Sequence, residues 1–561
     1  MGSFLREQVH RRPLALLLLL CALVWLPGFF TIPPLDRDES RFAQATKQML
    51  ETGDFVDINL GSGPRYEKPV GIYWLQAAST AALGAGARDK IWTYRLPSFL
   101  GALGAVAGTF FLASTVAGLE AGFFAGLILG FSLLLTSEAH IAKTDAVLLA
   151  ATTAVQWVLL RNYLAGRRVP AGGVSASAPE SSLALSLFGW AAFAVGILIK
   201  GPVIALVSGG TILALILWDR DWRWLKRVHP VYGLLLALLI VLPWLIAIGI
   251  ATHGLFFQKS LGGDFAMKLV GDQEAHGAPP GYYALLAHVS FWPGSLVLLP
   301  AVVIGFKRRN EPAFRFLVSW VAITWLMFEL APTKLPHYVL PAYPALAALS
   351  AAWVTAGSPA SRSERAAQAI SLGLFVLVGL AFAGFLVWAP QRFGTGSPWW
   401  LYAVATLGGL AVLSVIPPLW RGEKRHALAH GLVAAAVLYA GAGFIAVPRV
   451  NELWLSTRMA DAVARHANKG DPPVVTAGYA EPSILFLLGT GTRLDDGPTA
   501  GRDRAEAGGL ALVEENEKGV FLSAAGAGGA QAQALEEIDG LNYSRGRNLK
   551  MILFRVVPRP K

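Results

Sequence analysis

The sequence predicts a polytopic α-helical membrane protein of about thirteen transmembrane helices with a small α/β domain at its C-terminal end. Three observations carry this prediction. Apolar residues make up 54% of the 561 positions and charged residues only 15%, where a soluble chain carries about 25% charged. Mean hydropathy is +0.51, and the apolar residues come in uninterrupted runs of helix length, not in amphipathic stripes. Each crossing of a hydrocarbon core of about 30 Å takes about 20 such residues. Beyond residue 447 the composition changes to that of a soluble domain.

The first run, 14–32, follows Arg6, Arg11 and Arg12. A signal peptide has an apolar core of about 7–15 residues and a small-residue cleavage site. This run is longer and passes into Pro33-Pro34, so it reads as a retained anchor. A long polar loop, 33–92, comes next. The further spans are 97–119, 121–137, 146–160, 183–199, 202–218, 231–251, 285–306, 314–331, 338–356, 369–389, 399–419 and 428–447. With the N-terminus cytoplasmic, 18 basic residues fall on inner segments and six on the short outer turns. The positive-inside rule then sets the orientation, with the first loop and the C-terminal segment outside. The same asymmetry explains most of the +11 net charge without a nucleic-acid partner.

Two parts follow: 1–447, a transmembrane catalytic domain with its outer loop 33–92, and 448–561, an outer soluble domain. In the latter, 474–476, 510–513 and 551–556 read as strands and 483–488 as a short helix. Residues 170–182, rich in Gly, Ser, Ala and Pro, read as a flexible inner loop. The single cysteine, Cys21, lies in the first span, so neither a disulfide framework nor a thiolate metal site is expected.

The outer loop opens with Asp36-Arg37-Asp38-Glu39-Ser40-Arg41. Charges this dense beside a membrane are costly unless they bind something charged or do chemistry. Asp36 or Asp38 can cap a helix running to about Leu50, with Phe42, Ala45 and Met49 on one face. Its N-terminus suits an anion. On the plainer reading Asp38 and Glu39 are only capping residues. Arg65-Tyr66-Glu67-Lys68-Pro69 follows, and proline favours a first helical turn. Glu67 and Lys68 are therefore expected at the start of a second interfacial helix, the lysine holding a phosphate and the glutamate orienting it or binding a metal. An ordinary surface ion pair is the alternative.

Other outer ends repeat the theme: Lys143-Thr144-Asp145, Lys200-Gly201-Pro202 and Lys334-Leu335-Pro336-His337-Tyr338. The seventh-to-eighth loop holds His253, Lys259, Asp264, Lys268, Asp272, Glu274 and His276. Lysines and carboxylates converging on one membrane face argue for an anionic headgroup site.

The order Asp38-Glu39-Ser40-Arg41-Phe42-Ala43, Tyr66-Glu67-Lys68-Pro69, Lys200-Gly201-Pro202 and Lys334-Leu335-Pro336-His337-Tyr338 resembles the bacterial lipid A aminoarabinose transferases. More broadly it resembles the protein O-mannosyltransferases of the GT-C class. The resemblance covers most of the membrane portion. It implies Asp38 as the first-loop catalytic acid and Asp145 as a second acid near the reacting centre. Lys68, Lys334, Arg41 and His337 would meet the donor phosphate, and Glu67 is a candidate metal ligand. The chain departs from these enzymes at Gly263-Asp264, where a Glu-His pair is common; Asp264 offers a hard oxygen ligand in its place. Lys-Leu-Pro-His likewise replaces Lys-Leu-Pro-Thr.

The expected function is an inverting glycosyl transfer from a polyprenyl (undecaprenyl-type) phosphate donor to lipid A or another envelope acceptor. It would take place at the periplasmic face of a bacterial inner membrane. A divalent metal is a candidate cofactor. No nucleotide is expected, since there is no phosphate-cradling glycine loop of the P-loop type. Protein or glycan acceptors stay open within that class. A flippase or transporter of a lipid-linked sugar is the competing class, but transporters place charges near the bilayer midplane in repeated halves. Here the charges gather at one face. A structural envelope protein with an outer sensor domain is the third reading.

Overall fold

A computed structural model describes residues 12–165, 167, 182–260, 278–357 and 360–559. Asp264 and the expected loop at 170–181 lie outside the described residues.

Among the described residues the membrane portion is mainly helical. It comprises α1 (Pro13–Trp25), α2 (Asp38–Thr52), α3 (Gly71–Ala82), α4 (Ile91–Ala117), α5 (Leu119–Gly130), α6 (Leu133–Ala139), α7 (Asp145–Leu164), α8 (Leu183–Lys200), α9 (Val203–Asp219) and α10 (Pro230–Ala251). There follow α11 (Tyr282–Ser290), α12 (Leu298–Lys307), α13 (Pro312–Glu329), α14 (Tyr343–Thr355), α15 (Arg362–Phe393), α16 (Trp399–Leu413) and α17 (Lys424–Gly441). Among the described residues eight helices are long and apolar enough to cross a membrane, or ten if each bent pair is one span. The expected count of thirteen is therefore not reached by length and composition. α1 and α9 are short, and two runs that looked continuous are broken, α5/α6 by 67° and the 282–307 run by 120°.

Burial sorts these helices. Only 22% of the apolar window of α10 and 28% of that of α15 is buried, whereas α7 reaches 78% and the 336–355 segment 89%. The two central helices are thus apolar all round because protein surrounds them, and the outer ones because lipid does. α4 approaches α7 closely. A Cβ at Gly101 would lie 2.8 Å from the backbone nitrogen of Val147, and one at Gly108 2.9 Å from Thr153 Cγ2. Small residues at such crossings let backbones meet. Just above, Ser98 Oγ donates to the carbonyl of Lys143 (3.1 Å) and accepts from its N–H (3.3 Å). The close crossing and this exchange fix the turn that leads into Asp145.

In the outer loop Phe42, Ala45 and Met49 are buried on one face of α2, as their spacing predicts. The caps differ from expectation. Arg37 holds the capping position at φ 62°, no side chain caps the helix, and Asp38 is its first residue. A two-residue hairpin, β1 (Asn59–Leu60) with β2 (Gly63–Pro64), precedes the Arg65–Pro69 segment. α3 begins at Gly71, so Glu67 and Lys68 lie before the helix and not in its first turn.

Residues 455–557 form an α/β unit from α18 (Leu455–His466), β3 (Val475–Ala477), α19 (Pro482–Leu488), β4 (Arg493–Asp495), α20 (Gly497–Ala507), β5 (Gly509–Glu514), α21 (Lys518–Ala527), β6 (Gln531–Asn542) and β7 (Arg547–Val557). The sheet order is β4-β3-β5-β7-β6, parallel around β3 and antiparallel from β5 onward. Alternation along the strands builds two cores. Leu510, Leu512, Met551 and Leu553 pack on α18, while Ala511, Val513, Ile552 and Phe554 face α20 and α21.

This unit docks on the outer loop through α19. Phe486 packs with Ala43, Ile91, Tyr94 and Ala142, its ring 5.5 Å from that of Tyr94. Polar contacts surround the apolar one. Lys47 Nζ donates to the Phe486 carbonyl (3.3 Å) and Gln44 Nε2 to Thr490 Oγ1 (2.7 Å). Arg37 donates to the Ser544 carbonyl (2.6 Å), and Ser483 donates to the Asp36 carboxylate.

Candidate active site

The acid-rich start of the outer loop separates into three destinations. Asp36 turns to the soluble unit. Glu39 is fully buried and forms a bidentate pair with Arg95, with both bonds at 2.8 Å. Its oxygens also accept from the backbone N–H of Leu35 and of Ala142, both at 2.9 Å. Arg95 in turn donates to the carbonyls of Phe29, Ile32 and Pro33. This network ties the loop to α4 and to the turn before α7. Asp38 alone stays open, its side chain 56% exposed and 3.8 Å from Arg41.

Across from it lies a buried cluster of charges. Asp145 is buried at the N-terminus of α7. Its Oδ1 is 2.6 Å from Lys200 Nζ and 3.9 Å from His337 Nε2, and its Oδ2 is 3.5 Å from Lys143 Nζ. Lys143 also meets Glu138 Oε1 at 2.9 Å. Burial pulls the Lys143 ammonium pKa down, but Glu138, then Asp145, with Asp38 adding, outweigh this and hold it above its usual range. The charge of Asp38 reaches Arg65 as well, and that of Lys68 reaches the His337 ring. The loop acids and the helix-end lysines therefore act on one space. Lys143 and Lys200 meet Glu138 and Asp145, and Arg41 stands beside Asp38. Fixed cations gathered in this way suit an anionic ligand.

Two predicted residues sit elsewhere. Glu67 is half-exposed and pairs with Arg65 at 3.1 Å, whose guanidinium covers the Phe42 ring. It lies outside the acid–histidine grouping of the described residues. Lys334 is buried against Glu329 (3.0 Å) and the Pro279 carbonyl (3.3 Å). Its ammonium is committed to that pair and not to the Asp145 cluster.

The one grouping of the described residues with metal-ligand chemistry is Glu138, Asp145 and His337, whose ligand atoms lie within 4.8 Å of one another. Two carboxylates and an imidazole suit a divalent ion by type. The lysines argue against the fit, because Lys200 and Lys143 already take both oxygens of Asp145 and Lys143 one of Glu138. Glu138 Oε2, buried with no partner among the described residues, and the His337 imidazole, 3.9 Å from Asp145, are left. Two donors fall short of the three protein ligands that hold a catalytic ion, but Glu138 Oε2 can accept a hydrogen bond from a sugar hydroxyl or amine.

Glu138, Lys143 and Lys200 complete the cluster beyond the residues singled out from sequence. The last two stood in the motifs already noted. Glu138 ends an apolar run, where an ionisable residue is itself a functional signal.

Comparison with known proteins bears on the fold that carries these residues. The family described as Dolichyl-phosphate-mannose-protein mannosyltransferase matches residues 67–246. The undecaprenyl phosphate-alpha-4-amino-4-deoxy-L-arabinose arabinosyl transferase of Pseudomonas paraeruginosa is 27% identical over 333 residues, 57% of this chain and 57% of that protein. The crystal structure of ArnT from Cupriavidus metallidurans in the apo state superposes with a TM-score of 0.72 at 19% identity, over 98% of this chain and 99% of that one. The fold is that of ArnT. ArnT bound to undecaprenyl phosphate matches equally well, at a TM-score of 0.73 and 18% identity over the same shares. The likeness to ArnT extends through the membrane helices and the α/β unit alike.

Proposed function

We propose that this protein is a membrane glycosyltransferase that takes a sugar from a polyprenyl phosphate and passes it to an envelope acceptor, with lipid A the first candidate. The reaction face would be the outer face of a bacterial inner membrane, carrying both the 33–92 loop and the soluble domain. The observation that carries the reading is the Asp145–Lys143–Lys200–His337 cluster with Asp38 opposite it. The undecaprenyl phosphate held by ArnT and the arabinosyl transferase relatives support the donor class.

On this reading the donor phosphate lies against Lys68 and Arg41, with the Lys143 and Lys200 charges behind. Breaking the sugar–phosphate bond builds negative charge on the leaving phosphate. Cations fixed in place before the reaction stabilise that charge in the transition state. Asp38, exposed toward the space above, faces the acceptor. It takes the proton of a sugar hydroxyl as general base, or orients the sugar when the acceptor is an ionised phosphate. Asp145 positions Lys200 and Lys143, and Glu138 Oε2 receives a donor-sugar hydroxyl or amine. No step passes through a metal.

The test is a purified, lipid-reconstituted protein offered polyprenyl-phosphate-linked sugars and nucleotide sugars, with lipid A and envelope glycans as acceptors. Transfer from the lipid-linked donor alone is expected. Turnover from a nucleotide sugar without lipid, or movement of the intact donor across the bilayer without transfer, would overturn the reading.

A further inference from the structure

A second charged cluster lies at the far ends of the same helices, and glycosyl transfer does not use it. α7 runs from Asp145 to Leu164, which at 1.5 Å per residue is roughly 30 Å. There a pocket of about 640 Å³ opens between the ends of α7 and α9, the start of α13 and the 223–228 turn. Such a volume falls in the range of about 300–1,000 Å³ typical of ligand sites. Five cations line it, Arg167, Arg223, Lys226, Arg227 and Arg315, against two carboxylates.

Asp219 is fully used. It binds Arg167 at 2.8 Å, Tyr163 Oη at 2.6 Å, and Arg315. Asp221 accepts from the Arg223 backbone N–H at 2.9 Å. Arg223, Lys226 and Arg227 have no carboxylate partner within 4.0 Å among the described residues. Trp224 also lines the pocket. It is 2% exposed, and its indole Nε1–H finds no acceptor among the described residues. A buried donor without a partner carries a desolvation penalty unless a ligand supplies the acceptor. Exposed Trp218, Trp222 and Tyr232 stand at this end of the helices. Aromatic residues so placed mark the membrane–water boundary, where lipid headgroups lie.

We propose that this pocket binds the phosphate headgroup of an anionic phospholipid from the leaflet opposite the reaction face. The guanidinium and ammonium groups match phosphate oxygens, and the indole N–H supplies a neutral donor beside them. A free phosphate shares that chemistry. The exposed aromatic residues at this level favour the lipid.

The test uses the full-length protein in micelles supplemented with phosphatidylglycerol or phosphatidylcholine, bound lipid being counted by native mass spectrometry. The wild-type protein should retain phosphatidylglycerol over phosphatidylcholine. Each surface cation near anionic lipid is worth roughly a fivefold change. Arg223→Gln with Lys226→Gln, both exposed, should therefore weaken retention by about thirtyfold while the melting temperature holds. Trp224→Phe keeps an aromatic, if smaller, side chain, removes the N–H and should also weaken retention. Inorganic phosphate at millimolar concentration should not displace the lipid. Equal retention of the two lipids, unchanged retention in either variant, or displacement by inorganic phosphate would each overturn the proposal.

Discussion

Asp38 and Glu39 are neighbours with opposite fates, and the difference is one of surroundings. Glu39 is saturated by Arg95 and two backbone N–H groups, so Glu39→Gln leaves Arg95 buried without its counter-charge. Removing one partner of a buried pair is destabilising by about 3–5 kcal/mol. A lower melting temperature and poor recovery of monodisperse protein are expected, whatever the substrate. Asp38→Asn should instead leave the melting temperature unchanged and slow transfer by about 10²–10⁴-fold, the usual effect of a lost general base. Near-normal turnover of a well-folded Asp38→Asn protein would remove this residue from the chemistry. Chelation separates the metal reading in the same way. With Lys143 and Lys200 already on the Asp145 carboxylate, transfer should persist in excess chelator, measured by product formation. Sequence made Asp145 and the lysine-bearing helix ends legible because charges beside apolar runs stand out. It did not show that Glu39 is held by Arg95, Glu67 by Arg65 and Lys334 by Glu329, because which cation meets which acid is decided by helix packing and not by neighbours in the chain.

Among elements, the contact between α19 and α2 holds the soluble unit on the loop, and Asp36 makes that contact pH-dependent. Burial raises the Asp36 carboxyl from 3.8 to about 6; the Ser483 hydrogen bond opposes this, Glu481 adds to it, and Arg37 opposes it. Since the docked form favours the protonated acid, docking binds protons. Its strength is complete below the ordinary value near 3.8 and is lost as pH rises through about 6. Hydrogen exchange in α19, corrected for intrinsic rate, should show more protection at about pH 5 than at about pH 7.5, and Asp36→Asn should abolish the difference. The apolar runs gave most helices from sequence. The breaks did not show, because α5 and α6 are separated by Phe131 and Ser132 inside a run that stays apolar. β6 was also hidden. Its sequence, QAQALEEIDGLN, is poor in β-branched and aromatic residues, and it becomes a strand by pairing with β7 from Gln531↔Val557 to Asn542↔Arg547.

For the molecule as a whole, the charge asymmetry of the loops predicts one sidedness, with the 33–92 loop and the soluble unit on the same outer face. Their mutual docking requires that they share a face. Reporter fusions after Gly61 and after Pro473 should therefore be active only as periplasmic reporters, and cytoplasmic activity at either point would overturn the topology. The Arg95–Glu39 pair has a further bearing, on the order in which the chain is assembled. Arg95 sits near the outer end of a span that enters the bilayer early, where a buried guanidinium needs its counter-charge. Its counter-charge is already synthesised, 56 residues upstream. Asp145 has Lys143 beside it but meets Lys200 only 55 residues later and His337 later still. During biogenesis the loop anchor can close while the ribosome is still at work. The reaction centre stays incomplete until the helix bearing Lys200 and the segment bearing His337 have left the translocon, so a truncated chain is inserted but inert.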